Sequence, residues 1–141
     1  HVRMRDDTVI ELGEASTFTF DQYYFSPQNA RAVALMTFDS GTLKTSTGRL
    51  MQAANPTFEI RTPLAVIGVR GTVFWGGFIF GDNSLDVAML SGKGIYVQNA
   101  LTSVDINTAG QGITVQATGM PSQAAPWSKE KVAIALATTE I

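Results

Sequence analysis

Cysteine is absent, which excludes disulfides, thiolate nucleophiles and zinc–thiolate sites together. Histidine occurs once, as His1 at the very terminus, so Ser–His and Cys–His relays and histidine-bound metal are excluded as well. Charge is scarce: Asp, Glu, Lys and Arg make up 16% of the 141 residues, against roughly 25% in an average soluble domain. The ten Lys and Arg are scattered from Arg3 to Lys131 and the net charge is −2, so no basic face is expected for nucleic acid. Long apolar runs are also missing. The stretch 63–69 falls far short of the ~20 residues a membrane-crossing helix needs. No signal peptide is legible. Because residue 1 is His and not Met, the chain is read as a fragment, with any targeting signal or membrane anchor expected outside it.

What the chain does have is hydrophobic content of 45%, enough for one domain with a core of its own. The apolar residues come in short runs of period two, separated by Gly, Asn, Asp or Ser. Residues 9–12, 17–20, 32–38, 57–62, 72–80, 85–90, 95–97 and 113–115 read as strands, and 72–90 reads as a hairpin turning near Asp82 and Asn83. The fold class expected is therefore all-β. Helical character is confined to 128–137, where Ser128 can cap, Glu130 suits the first turn, and Val132, Ala135 and Leu136 share a face. The expected division is a β domain over 1–120 and a tail with a short helix over 121–141.

An internal echo links Gly92-Lys93-Gly94-Ile95-Tyr96-Val97-Gln98 with Gly110-Gln111-Gly112-Ile113-Thr114-Val115-Gln116, eighteen residues later. Two readings stay open: successive coils of a solenoid, each giving one strand to a common sheet, or two glycine-led strands with Ile and Val turned inward.

The chemical motifs are weak. Asp82-Asn83-Ser84-Leu85-Asp86 offers oxygen ligands, but the glycine and glutamate an EF-hand loop needs are replaced by Val87 and Lys93. Ser91-Gly92-Lys93-Gly94 lacks the upstream glycine and the following Ser/Thr of a phosphate loop. Glu11, Glu14, Asp39, Asp82, Asp86 and Asp105 lie in or beside turns, where acids ordinarily shape the turn. No metal, cofactor or catalytic pair is expected. Tyr23 and Tyr24, in Asp21-Gln22-Tyr23-Tyr24-Phe25, read either as an edge strand covering the end of the core or as a flat platform for a glycan or peptide.

The stretch Thr62-Pro63-Leu64-Ala65-Val66-Ile67-Gly68-Val69-Arg70-Gly71-Thr72-Val73-Phe74 looks like a buried strand carrying one charge. It resembles the core signature of FecR-type domains, I-x-T-P-x-A-x-x-G-x-R-G-T-x-F. Phe20-Asp21-Gln22-Tyr23-Tyr24-Phe25-Ser26-Pro27 is similar to the family's I-D-E-F-x-Y-D-P block, Phe38–Leu43 to its L-x-x-G-x-F strand, and Val87–Val97 to its downstream strand. The resemblance covers about residues 7–116. It implies an extracytoplasmic all-β domain of stacked short strands, solenoid-like or a two-sheet sandwich. The family's named regulators span the inner membrane, receive a signal from an outer-membrane iron-siderophore receptor and control a sigma factor. Within residues 1–141 neither a membrane helix nor a cytoplasmic segment is legible.

The resemblance thus implies a non-enzymatic periplasmic or envelope module for sensing or interaction, with a protein partner. The alternative is a glycan-binding or adhesive module using Tyr23, Tyr24 and Trp75. Gly68, Arg70, Gly71 and Thr72 are the motif positions singled out. Arg70, between glycines in an apolar stretch, is expected to be a largely buried pin satisfied by an acid, Glu59, Asp39 or Asp86 first, or by several backbone carbonyls.

Overall fold

The computed structural model describes residues 1–26, 28 and 31–140. Pro27, the last residue of the block that begins at Phe20, lies outside the described residues. In chain order the strands are β1 (Val2–Arg3), β2 (Val9–Leu12), β3 (Thr17–Ser26), β4 (Arg31–Ser40), β5 (Thr42–Ser46), β6 (Thr57–Arg61) and β7 (Val66–Val69). They continue as β8 (Thr72–Gly77), β9 (Ser84–Gly92), β10 (Ile95–Gln98), β11 (Ser103–Ile106), β12 (Gln111–Gln116) and β13 (Ala125–Pro126), followed by the helix α1 (Lys129–Ala137). One further turn of 3-10 helix spans Arg49–Gln52.

The strands form a two-sheet sandwich. One sheet has the order β1-β2-β5-β8-β9-β12-β13 and the other β11-β10-β7-β6-β4-β3. Every pairing is antiparallel except β4 with β6. Ile10, Leu43, Phe74, Leu85, Val87, Met89, Ile113 and Val115 point inward from the first sheet, meeting Met36, Phe38, Phe58, Ile60, Ile67, Val69, Ile95 and Val97 from the second. The sandwich settles the echo. Its inward Ile95, Val97, Ile113 and Val115 are all buried, but β10 and β12 belong to different sheets. The copies are therefore not coils of one solenoid sheet.

Two strand readings are corrected by local geometry. The stretch 62–74 is not one strand: Gly71 adopts φ +90 and turns the chain out of one sheet at β7 into the other at β8. The run 17–20 does not stop at Phe20. It continues to Ser26 past a bulge in which Phe20 pairs with Met36 and Gln22 with Leu35, leaving Asp21 extra. The bulge switches the phase of alternation, so Phe18 packs inward before it and Tyr23 and Phe25 after it. Among the strands not expected, β1 and β13 are two residues long, and β11 carries only Val104 and Ile106 as apolar residues.

The helix forms where its cap predicts, Ser128 Oγ accepting from the Lys131 N–H at 3.1 Å. It lies on the outer face of the seven-stranded sheet, which is why β9 is buried on both faces from Ser84 to Met89.

Candidate functional site

The apolar signature builds one wall of a groove. Thr62 makes its turn: its Oγ1 accepts the N–H groups of Leu64 (3.2 Å) and Ala65 (2.9 Å) and donates to the Ala65 carbonyl at 2.7 Å. Pro63 and Leu64 are left at the turn's tip. Opposite them, Asn99 holds a second turn by accepting the N–H groups of Leu101 and Thr102 and donating to the Gly119 carbonyl. Between the two turns lies an open groove of about 610 Å³, with Leu64 and Leu101 on its sides and Glu59 and Tyr96 in its floor. Leu101 is 64% exposed.

The floor continues as a row across the outer face of the six-stranded sheet. Glu59 pairs with Gly68, Gly68 with Tyr96, and Tyr96 with Asp105. Gly68 has a steric reason to be glycine, because a Cβ there would overlap the Tyr96 ring. The ring compensates for the missing side chain by covering the backbone. The Tyr96 hydroxyl lies beside the Glu59 carboxylate. Burial, and next the Glu59 charge, raise its pKa above the ordinary tyrosine value, with Arg70 pulling the other way.

Arg70 is not the buried pin expected. Its guanidinium lies over the Tyr96 ring at 5.3 Å and pairs with Asp105 at 3.2 Å, both side chains about half exposed, at 50% and 51%. The reason is strand parity: Ile67 and Val69 face the core, so positions 68 and 70 face outward. The three acids expected beside it are elsewhere. Glu59 lies beside Tyr96, Asp39 is exposed on β4, and Asp86 lies in the other sheet against Lys131. Thr72 is the buried polar residue of the motif. Its Oγ1 donates to the Gly94 carbonyl (2.6 Å) and accepts the Gly94 N–H, while its own N–H donates to Thr47 Oγ1.

A buried carboxylate to which the sequence motifs do not point is Asp6, in a polar segment. It is completely buried, and its carboxylate accepts from Thr8 N–H, Thr8 Oγ1, the Tyr23 hydroxyl and the Leu50 N–H at 2.8–3.2 Å. The Asp6-Asp7-Thr8 spacing is the available signal, since an Asp side chain reaches the N–H two residues on. Tyr23 is thereby committed inward. Burial, and then the bond to Asp6, push its pKa up to about 12. Tyr24 points the other way, under the Arg31 guanidinium at 5.0 Å, and Trp75 is buried beneath α1. The three rings do not form a platform. Among the described residues, no group of three or more His, Cys, Asp or Glu is placed to hold a metal. No helix among them is long and apolar enough to cross a membrane.

The family model for the FecR protein matches residues 1–94. The chain belongs to the FecR family. The matched part contains Glu59, the Thr62 turn, Gly68 and Arg70, whereas Tyr96, the Asn99 turn and Asp105 lie beyond it. The fold of this FecR-family chain is similar to that of a candidate anti-sigma factor from Parabacteroides distasonis ATCC 8503, solved at 1.65 and at 2.50 Å resolution. In each comparison the TM-score is 0.74 at 19% identity, over 96% of this chain and 58% of the other. This chain thus spans less than two thirds of the length of that protein. No curated protein matches the chain.

Proposed function

We propose that this FecR-family chain is a non-enzymatic, extracytoplasmic sensory or interaction module that takes a protein partner in the groove between the Thr62 and Asn99 turns. The observation that carries the reading is how the motif spends its polar groups. Thr62 and Thr72 are used inside the fold, Glu59 lies against Tyr96, and Arg70 pairs with Asp105. The groove offers a visitor the apolar Leu64 and Leu101, an aromatic floor at Tyr96 and the amides of Gln98 and Gln116, which suits recognition of another chain. Family membership supports a regulatory role, and the envelope location follows the family's pattern. The β domain is taken to end near residue 120, with 121–141 a tail docked upon it.

The test is photo-crosslinking in cells from a reactive group at position 101, with position 20 on the far edge as the control. A discrete adduct in the envelope fraction from position 101, lost when Leu64→Asp is added, is the expected result. Equal labelling from both positions, or a chain found wholly in the cytoplasmic fraction, would overturn the reading.

A further inference from the structure

The outer face of the seven-stranded sheet carries a second site, unconnected with the groove. Trp75, Phe80 and Trp127 meet edge to face, with ring centroids 5.6–5.9 Å apart, and Phe80 and Trp127 form two walls of a box backed by Trp75. The Lys131 ammonium sits in it, 4.3 Å from the Trp127 ring centre and 4.8 Å from that of Phe80. The third wall is the Asp86 carboxylate, 3.3 Å from Lys131 Nζ and itself only 2% exposed. Thr114 Oγ1 donates to the same Asp86 oxygen at 2.5 Å. Aromatic faces and one buried carboxylate around an ammonium are what recognition of an alkylammonium group requires.

The box and its occupant are held by different parts of the chain. Trp127 is fixed by its N–H to the Gly110 carbonyl, by the β12–β13 pairing, and by its ring lying on Gly112, where a Cβ would overlap it. Trp75, Phe80 and Asp86 belong to the β8–β9 hairpin. Lys131 alone comes from α1. That helix has nine residues, too few to persist in water alone, and it fully buries only Ala135. Its remaining hold on β8 includes the bond from Trp75 Nε1 to Thr138 Oγ1 at 3.1 Å. Phe80, Trp127 and Asp86 all lie outside α1.

We propose that this box is a lysine-binding site, filled in cis by Lys131 and open in trans to a lysine side chain of a partner protein when α1 is displaced. A primary ammonium is favoured over a quaternary one because Asp86 accepts a hydrogen bond from the occupant. The proposal rests on the reading above only in supposing a protein partner; the site itself does not depend on it.

The test uses the full chain carrying Lys131→Ala and titrates it with n-butylammonium, a mimic of the lysine side chain, against equal sodium chloride. Saturable change in tryptophan fluorescence and a rise in Tm are expected, at least tenfold tighter than for the wild type, and weakened by adding Asp86→Asn. Tetramethylammonium should bind more weakly, and tighter binding of it would overturn the assignment to lysine. Binding by the Lys131→Ala chain no tighter than by the wild type would show a structural ion pair and nothing more. Should that variant fail to fold, hydrogen exchange on the wild type decides: n-butylammonium must speed exchange of amides 129–137 and leave 95–98 unchanged, and no such acceleration overturns the proposal. The groove test can fail without affecting either result.

Discussion

The ring of Tyr96 occupies the space into which a side chain at Gly68 would project, and the two residues are direct cross-strand partners. A glycine in a strand costs backbone entropy, and here the ring covering it offsets that cost. Gly68→Ala should therefore destabilise the domain by about 1–3 kcal/mol through overpacking. Chemical denaturation measures this. Adding Tyr96→Ala should recover part of the loss, a non-additive pairing expected only of residues in contact. A Gly68→Ala chain as stable as the parent would show that the ring moves aside freely.

Arg70 leads to the opposite expectation. An ion pair with both partners half exposed contributes below about 1 kcal/mol, so Arg70→Ala should melt within a few degrees of the parent. If the partner approaches along the Tyr96 floor, the same substitution should change crosslinking from position 101. A large drop in Tm would instead mean that the Arg70–Asp105 contact is shielded from water.

Asp6→Ala should be the most damaging of the single changes considered. It strands the Leu50 and Thr8 amides and the Tyr23 hydroxyl, and each unsatisfied buried group costs about 1–3 kcal/mol. Tyr23→Phe removes one donor to the same carboxylate and should cost less. The ranking, read from denaturation midpoints, is the check; equal effects would contradict the four-donor network.

High pH should expose the same network. The Tyr23 pKa is raised in the folded chain from 10 to about 12, so between those values the unfolded chain has lost a proton that the native one retains. Stability is then fully present below pH 10 and falls as pH rises toward 12. Tyr96 is shifted in the same direction and adds to the fall. Tyr23→Phe should flatten the decline, as measured by denaturation across this range alongside phenolate absorbance.

Fold class and helix were legible because period-two alternation and an N-cap are local signals. The corner at Gly71 was not, since Val69 and Thr72 are equally at home in one strand, and only the positive φ of Gly71 sends them to different sheets. The apolar neighbours of Arg70 suggest enclosure, whereas parity counted from the buried Ile67 turns it outward. The Tyr23 and Leu50 partners of Asp6, Glu59 beside Tyr96 and the Asp86 partner of Lys131 lie 17 to 45 positions away, where no spacing rule points. The aromatic box was hidden for the same reason, because Trp75, Phe80 and Trp127 look like ordinary core residues along the chain.

The alternation of the chain between layers has a consequence for cooperativity. β1 and β2 lie in one sheet, β3 and β4 in the other, β5 returns to the first, and the exchange continues to β13 with never more than two consecutive strands in one layer. Neither sheet can be assembled from a contiguous piece of sequence, so neither can melt while the other survives. A fragment cut at residue 94 would leave β7 without β10 and β9 without β12, exposing two interior edges at once. The thermodynamic unit is then larger than the stretch that marks the family, and unfolding should be a single transition in which calorimetric and van't Hoff enthalpies agree.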